Sequence, residues 1–230
     1  MAGGRTAGRN LKRRTAHTVV VMAPWLRNLA LTAHVTSSAG SLGAIAAFLA
    51  LAVAGLTSGD AQLVRAVYLV MELTAWFVIV PLMLASLLTG LVSSLGTTWG
   101  LFRHYWVLVK FAITVFAVTI LLMYLMYRQT LGYLAGVAAD ATLSGDDLAA
   151  LRTLSPLLHA AGGLVVLFVA TALAVYKPQG ETRYGARKHG RALTATPRWV
   201  KVFGIVALVV VLLFVILLLT GHRPGHYAAP

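Results

Sequence analysis

Cysteine is absent from the 230 residues, acidic side chains number only 6, and charged residues of either sign make up 11% of the chain. The missing cysteine excludes disulfides, thiolate nucleophiles, cysteine-held iron–sulfur clusters and covalently attached c-type haem, while leaving room for a haem held by histidine. The shortage of charge excludes an ordinary soluble surface, on which about a quarter of residues would be charged. No Walker, Rossmann, HExxH, GxSxG or EF-hand pattern occurs, so soluble-style catalysis has no candidate site.

What is present in quantity is apolar sequence. Hydrophobic residues make up 59% of the chain, and they gather in runs at 29–56, 67–91, 105–126, 157–176 and 200–220. Each run is long enough to cross about 30 Å of hydrocarbon at about 1.5 Å per residue. The expected fold class is therefore all-α: a bundle of five transmembrane helices spanning 28–220, with a basic tail at 1–27 and a short tail at 221–230. A basic region ahead of an apolar run also describes a secretory signal peptide. The 29–56 run is a full membrane span, however, so it reads as an anchor that stays in place. Residues 1–15, rich in Gly, Arg, Thr and Ala, are expected to be disordered.

The distribution of cations gives an orientation. Arg5, Arg9, Lys12, Arg13, Arg14 and Arg27 precede or open the first run, Arg103 lies in the second connection, and Lys177, Arg183, Arg187, Lys188, Arg191, Arg198 and Lys201 fill the fourth. The other side holds Arg65, Arg128, Arg152 and Arg223, together with Asp60, Asp140, Asp146 and Asp147. By the positive-inside rule the N-terminus is cytoplasmic and the C-terminus external, in a bacterial plasma membrane. The formal net charge of +13 raises the question of nucleic acid. These cations flank spans without an aromatic-interleaved basic patch, which points to anionic lipid headgroups and away from nucleic acid.

Two connections are long. The outer one, from Arg128 to Ser155, contains Ser144, Gly145, Asp146 and Asp147 ahead of Leu148 to Leu154, which reads as a capped surface helix of two turns. Ser155 and Pro156 read as the cap and first residue of the fourth span. The inner one, from Lys177 to Lys201, mixes Pro178, Gly180, Gly185, Gly190 and Pro197 with its charges and reads as an irregular loop.

Chemistry is sought among the polar groups inside the runs, because burying them in lipid is costly unless a partner or water satisfies them. Glu72 has Tyr68 and Trp76 four residues to either side, so the three are expected on one helix face. A contact from Glu72 to His159 is allowed if their helices are neighbours. His34 is followed by Ser37, Ser38 and Ser41, a polar stripe expected to face the bundle interior, with Gly40, Gly43, Ala44 and Ala47 allowing close helix approach. The ligand or proton-relay candidates are thus His34, Ser37, Ser41, Glu72, Trp76 and His159, with a hydrogen-bonding, helix-gluing role for His34 as the alternative. Lys110 reads as snorkelling past Trp106 to the headgroups. Pro81 is expected to kink the second span and free a backbone carbonyl. His34, His104 and His159 are the candidate ligands for haem b or copper, although His34 and His159 lie near opposite faces of the membrane.

The words His34-Val-Thr-Ser-Ser-Ala-Gly-Ser-Leu-Gly-Ala44, Tyr68-Leu-Val-Met-Glu-Leu-Thr-Ala-Trp76, Gly96-Thr-Thr-Trp-Gly-Leu-Phe-Arg-His-Tyr-Trp-Val-Leu-Val-Lys110 and Val175-Tyr-Lys-Pro178 resemble a family of predicted actinobacterial integral membrane proteins of unassigned function. The likeness covers about residues 28 to 190, places His34, Glu72, Trp76, Arg103, His104 and Lys110 inside its shared words, and implies no activity. A looser similarity, a histidine followed by a Gly-rich stretch in the first span, points to the membrane domain of copper-resistance protein CopD. In such patterns a Trp commonly precedes the Leu-Gly pair, and here Ser41 holds that place.

Three functions fit these residues. One is a small non-enzymatic membrane protein that binds or passes a small ligand, ion or proton through polar groups inside the bundle, with a homo-oligomer through its small-residue faces as one form. The second is a b-type haem or copper redox protein. The third is an accessory subunit of a larger membrane complex.

Overall fold

In the computed structural model, which describes residues 22–96, 101–126, 131–140, 144–188, 196–202 and 204–205, every regular element is helical. Helix α1 runs from Pro24 to Thr57. Proline at its first position costs no hydrogen bond, since that N–H has no helical partner in any case. Asp60 then caps α2 (Ala61–Thr74), its carboxylate accepting from Gln62 N–H at 2.9 Å.

A π-helical turn, Ala75–Ile79, joins α2 to α3 (Val80–Leu95) without breaking the rod. Its position follows from Pro81. Proline donates no N–H and crowds the preceding turn, and widening that turn re-pairs the backbone, with Val80 N–H reaching back to Ala75 O. Where a kink was expected the structure has this π-turn.

Helices α4 (Tyr105–Met126) and α7 (Ser155–Tyr176) match the third and fourth apolar runs almost residue for residue. Four stretches are long and apolar enough to cross a membrane: Pro24–Thr57, Ala61–Leu95, Tyr105–Ala139 and Gly145–Tyr176. Their outer faces are apolar: Phe77 is 75% exposed, and Leu88, Val165 and Phe168 are exposed with it. Such a surface suits lipid, where only helices with internally paired backbones persist. This is a helical protein built for a membrane. The fifth expected span, 200–220, falls outside the described residues apart from helical residues at 198–202 and 204–205. Residues 1–15 and 221–230 lie outside them too.

The four long stretches alternate in direction. α1 packs along α3 and α2, and α7 lies against α1 and α4. The core between them holds Ile45, Phe48, Val64, Tyr68, Met71, Ile79, Met83, Val118 and Leu125. At one end gather the start of α1, the α3–α4 join, the end of α7 and the residues after it, so Arg27, Arg103, Lys177, Arg183 and Arg187 share that end. The opposite end carries Asp60, Arg65, Asp146, Asp147 and Arg152.

Both long connections hold more structure than their sequences suggested. In the outer one α5 (Leu131–Ala139) packs on α2 through Leu131, Leu134, Ala135 and Ala138. The apolar four-residue spacing of these side chains inside a nominal loop was the missed signal. Helix α6 (Gly145–Leu151) is the expected surface helix, shifted earlier, with Ser144 and Asp147 forming a reciprocal capping box. Leu151 is buried, Tyr68 Oη donates to its carbonyl, and the Arg152 guanidinium donates to Ser58 O at 3.1 Å. Ser155 stands one position later than expected: it is the first residue of α7, and Leu154 holds the cap position.

The described part of the inner connection is also more ordered than an irregular loop. Lys177, in the left-handed region at φ 42°, closes α7. Thr182 then pairs with the α3–α4 join: its N–H donates to Arg103 O at 2.9 Å and its hydroxyl to Phe102 O. A short helix, α8 (Arg183–Lys188), follows. Gly185 is required there, because a Cβ would stand 2.7 Å from Arg103 O.

Candidate functional site

His34 stands on α1 opposite α3, and α3 is shaped to receive it. Gly90 leaves space for the ring: a Cβ there would lie 3.0 Å from His34 Cε1. Nδ1 sits 2.9 Å from Ser86 O and 3.3 Å from Thr89 Oγ1. A carbonyl only accepts, so Nδ1 carries the proton and donates to it, which fixes Nε2 as an acceptor. Nε2 lies 3.1 Å from Lys110 Nζ on α4. The lysine donates into that lone pair, and three helices are tied through one imidazole.

This corrects the reading of Lys110 as a residue that snorkels past Trp106. An ammonium inside a helix bundle needs an acceptor, and a neutral imidazole one helix away supplies it without adding a second charge.

The serine stripe divides its labour. Ser37 and Ser41 are buried, Ser41 completely, and both turn their hydroxyls back to their own helix: Ser37 Oγ donates to Ala33 O at 2.7 Å and Ser41 Oγ to Ser37 O at 2.8 Å. Ser38, absent from the candidate list, makes the interhelical bond, 2.7 Å from Ser86 Oγ. Ser86 and Thr89 were missed because a serine or threonine inside an apolar run commonly satisfies itself on its own helix, as Thr89 does to Ala85 O. Nothing in the sequence says that α1 is opposite.

The cluster opens into a cavity of about 600 Å³ at the basic end, lined by His34, Lys110, Arg27, Lys177, Asn28 and Ser93 among others. Among the described residues no Asp or Glu lines it, and Ser93 Oγ is buried without a hydrogen-bond partner. A cavity with cations, hydroxyls and an amide but no carboxylate is chemically suited to an anion.

Glu72 lies elsewhere. It is half-buried on α2 with Oε1 directed towards α5, 3.7 Å from where a Gly132 Cβ would stand. Its two aromatic neighbours four residues away meet different surroundings. Tyr68 is buried, whereas Trp76 sits in the π-turn and is 36% exposed on the outer face. The condition for a Glu72–His159 contact is not met either, because α7 packs on α1 and α4 while α2 packs on α1 and α5. Among the described residues no hydrogen bond joins the two.

His159 belongs to a second cavity, of about 370 Å³, walled by Ile45, Phe48, Ile79, Met83, Phe116 and Leu167 among others. Its ring stacks on Tyr124, centroids 3.9 Å apart and planes 18° from parallel. Its Nδ1 donates to Ser155 O at 2.8 Å. His104 forms an isolated antiparallel bridge with Glu181, and its carbonyl accepts the first helical bond of α4 from Leu108 N–H.

The three histidines therefore occupy three separate places. His34 has both ring nitrogens engaged, and His34 and His159 line different cavities, so bis-histidine haem ligation does not fit this arrangement. Among the described residues no three His, Asp or Glu side chains gather as a metal site.

No family model, curated protein or solved structure matches this chain. The site rests on its own geometry.

Proposed function

We propose that this protein is a multi-pass plasma-membrane protein of bacterial type that binds, and passes through its bundle, a small anionic ligand, with the His34–Lys110 pair at the head of the binding cavity. The observation that carries this reading is the lysine donating to a histidine whose other nitrogen is held by α3, at the wall of a cavity lined by Arg27 and Lys177 and by no acid. The Lys110 ammonium spends one N–H on His34 and keeps others for a ligand. Arg27 and Lys177 add field at the mouth, which raises local anion concentration.

The same reading gives five spans, with the N-terminus and the basic end in the cytoplasm, anionic headgroups around that end, and the anion meeting the site from the cytoplasmic side. Membership in the actinobacterial family that the shared words resemble is part of the proposal. The gathering of Arg27, Arg103, Lys177, Arg183 and Arg187 at one end supports the orientation.

Titration calorimetry of the purified protein in mild detergent with inorganic phosphate and with acetate is the test. Wild type should bind one of these anions, and Lys110→Met should weaken that binding by about 10-fold or more, the scale of one hydrogen bond to a charged group. Equal affinity in wild type and Lys110→Met, or no binding of either anion, would overturn the proposal.

A further inference from the structure

The second cavity is almost wholly apolar, yet one end of it carries a buried hydroxyl left unsatisfied and, stacked on it, an exposed histidine. Tyr124, near the end of α4, is 7% exposed and its hydroxyl has no hydrogen-bond partner among the described residues. A buried hydroxyl without a partner costs about 1–3 kcal/mol, so such groups call for an explanation. Stacked on that phenol is His159, whose Nδ1 is committed to Ser155 O. The tautomer leaves Nε2 as an acceptor, with no partner among the described residues. A donor and an acceptor therefore stand side by side at the head of an apolar chamber.

The walls describe the rest of a ligand. Ala75 and Ile79 of the π-turn, Ile45 of α1 and Gly162 and Gly163 of α7 all border the space. A Cβ on Gly162 would meet nothing within 4 Å. Among the described residues no lysine or arginine lines the cavity, so none of them offers a counter-charge to a carboxylate or phosphate head. Leu158, part of the lining, is 63% exposed, so the chamber is reached from the apolar outer surface. The polar end lies in the first turns of α7 and the last turn of α4, at the end of the bundle, and the apolar walls run inward. A lipid in the surrounding leaflet has the same polarity, head at the boundary and chain towards the middle.

We propose that this chamber binds a neutral lipid whose head is a hydroxyl group. A hydroxyl serves both groups at once, accepting from Tyr124 Oη and donating to His159 Nε2; an ether or ester oxygen can only accept, and serves Tyr124 alone. The site is independent of the anion cavity, which lies at the other end of the bundle.

The experiment measures thermal unfolding of the full chain in detergent across concentrations of 1-tetradecanol, its methyl ether and tetradecanoate, since a ligand that binds the folded state raises the midpoint with concentration. Wild type should prefer the alcohol over the ether by about 3- to 10-fold, the scale of one added hydrogen bond. His159→Phe, which keeps a stacked ring, should abolish that preference, whereas Tyr124→Phe should weaken alcohol and ether alike and leave the preference in place. Tyr124→Phe removes a hydroxyl that bonds nothing, so without ligand it should unfold at or above the wild-type temperature. Equal binding of alcohol and ether, tighter binding of the carboxylate, a preference that survives in His159→Phe, or unchanged binding of both ligands in Tyr124→Phe each overturns the proposal.

Discussion

Lys110 Nζ lies 3.1 Å from His34 Nε2, across 76 residues of sequence, and the contact joins α4 to α1 through a ring that α3 already holds. It is a bond between one cation and one neutral acceptor, and each group is costly to leave alone inside the bundle. Removing either partner is a different experiment from removing both.

That asymmetry is measurable. His34→Leu leaves the lysine without its acceptor and should destabilise by about 1–3 kcal/mol, while the double variant His34→Leu with Lys110→Met should recover part of the loss, because two apolar groups of similar shape replace a bonded pair. A double-mutant cycle on equilibrium unfolding in detergent should return a coupling of about 0.5–3 kcal/mol. Additive effects would mean that the contact carries no energy.

Gly90 makes the position of His34 sterically conditional. Gly90→Ala sets a methyl group 3.0 Å from Cε1, so the ring or the α1–α3 spacing must shift. The expected cost is about 1–3 kcal/mol, with weakened anion binding. Gly43→Ala, where an added Cβ meets nothing within 4 Å, is the control and should be neutral. If both variants behave alike, helix propensity and not the histidine explains the result.

The orientation is open to reporter fusions. A fusion after Gly180, at the basic end, should read as cytoplasmic, and one after Gly145, at the acidic end, as external. The opposite pattern at either point overturns the topology and moves the anion site to the other face of the membrane.

α8 depends on a glycine for its seat. Gly185→Ala places a Cβ 2.7 Å from Arg103 O, a backbone atom that cannot swing away, so α8 should leave the α3–α4 join. Limited trypsin digestion should then cut at Arg183 or Arg187 several-fold faster than in wild type. Unchanged cleavage would show that Thr182 alone holds the segment.

Much of the scaffold was legible in the chain because membrane burial is a one-dimensional constraint. A stretch that must cross hydrocarbon has to be long, apolar and internally hydrogen-bonded, and each of these can be counted along a sequence. α4 and α7 therefore begin and end within two residues of the runs that announced them. Pro81 also signalled a backbone adjustment, since a missing N–H is local chemistry. α5 was not read, because a packed helix of nine residues inside a connection has neither the length nor the charge pattern of a span.

The sites divided along the same line. His34, Lys110 and His159 were marked as costly polar groups by the sequence alone, since desolvation depends on residue type and depth. Their partners are relations between helices. Ser86 and Thr89 became a cradle only once α3 lay against α1, Lys110 acquired an acceptor only once α4 joined them, and Tyr124 became an orphan beside His159 only once α7 met α4. Residue type and order decided which stretches enter the membrane and which groups there need partners. Helix neighbours, set by packing among surfaces of nearly equal greasiness, decided which partners they found.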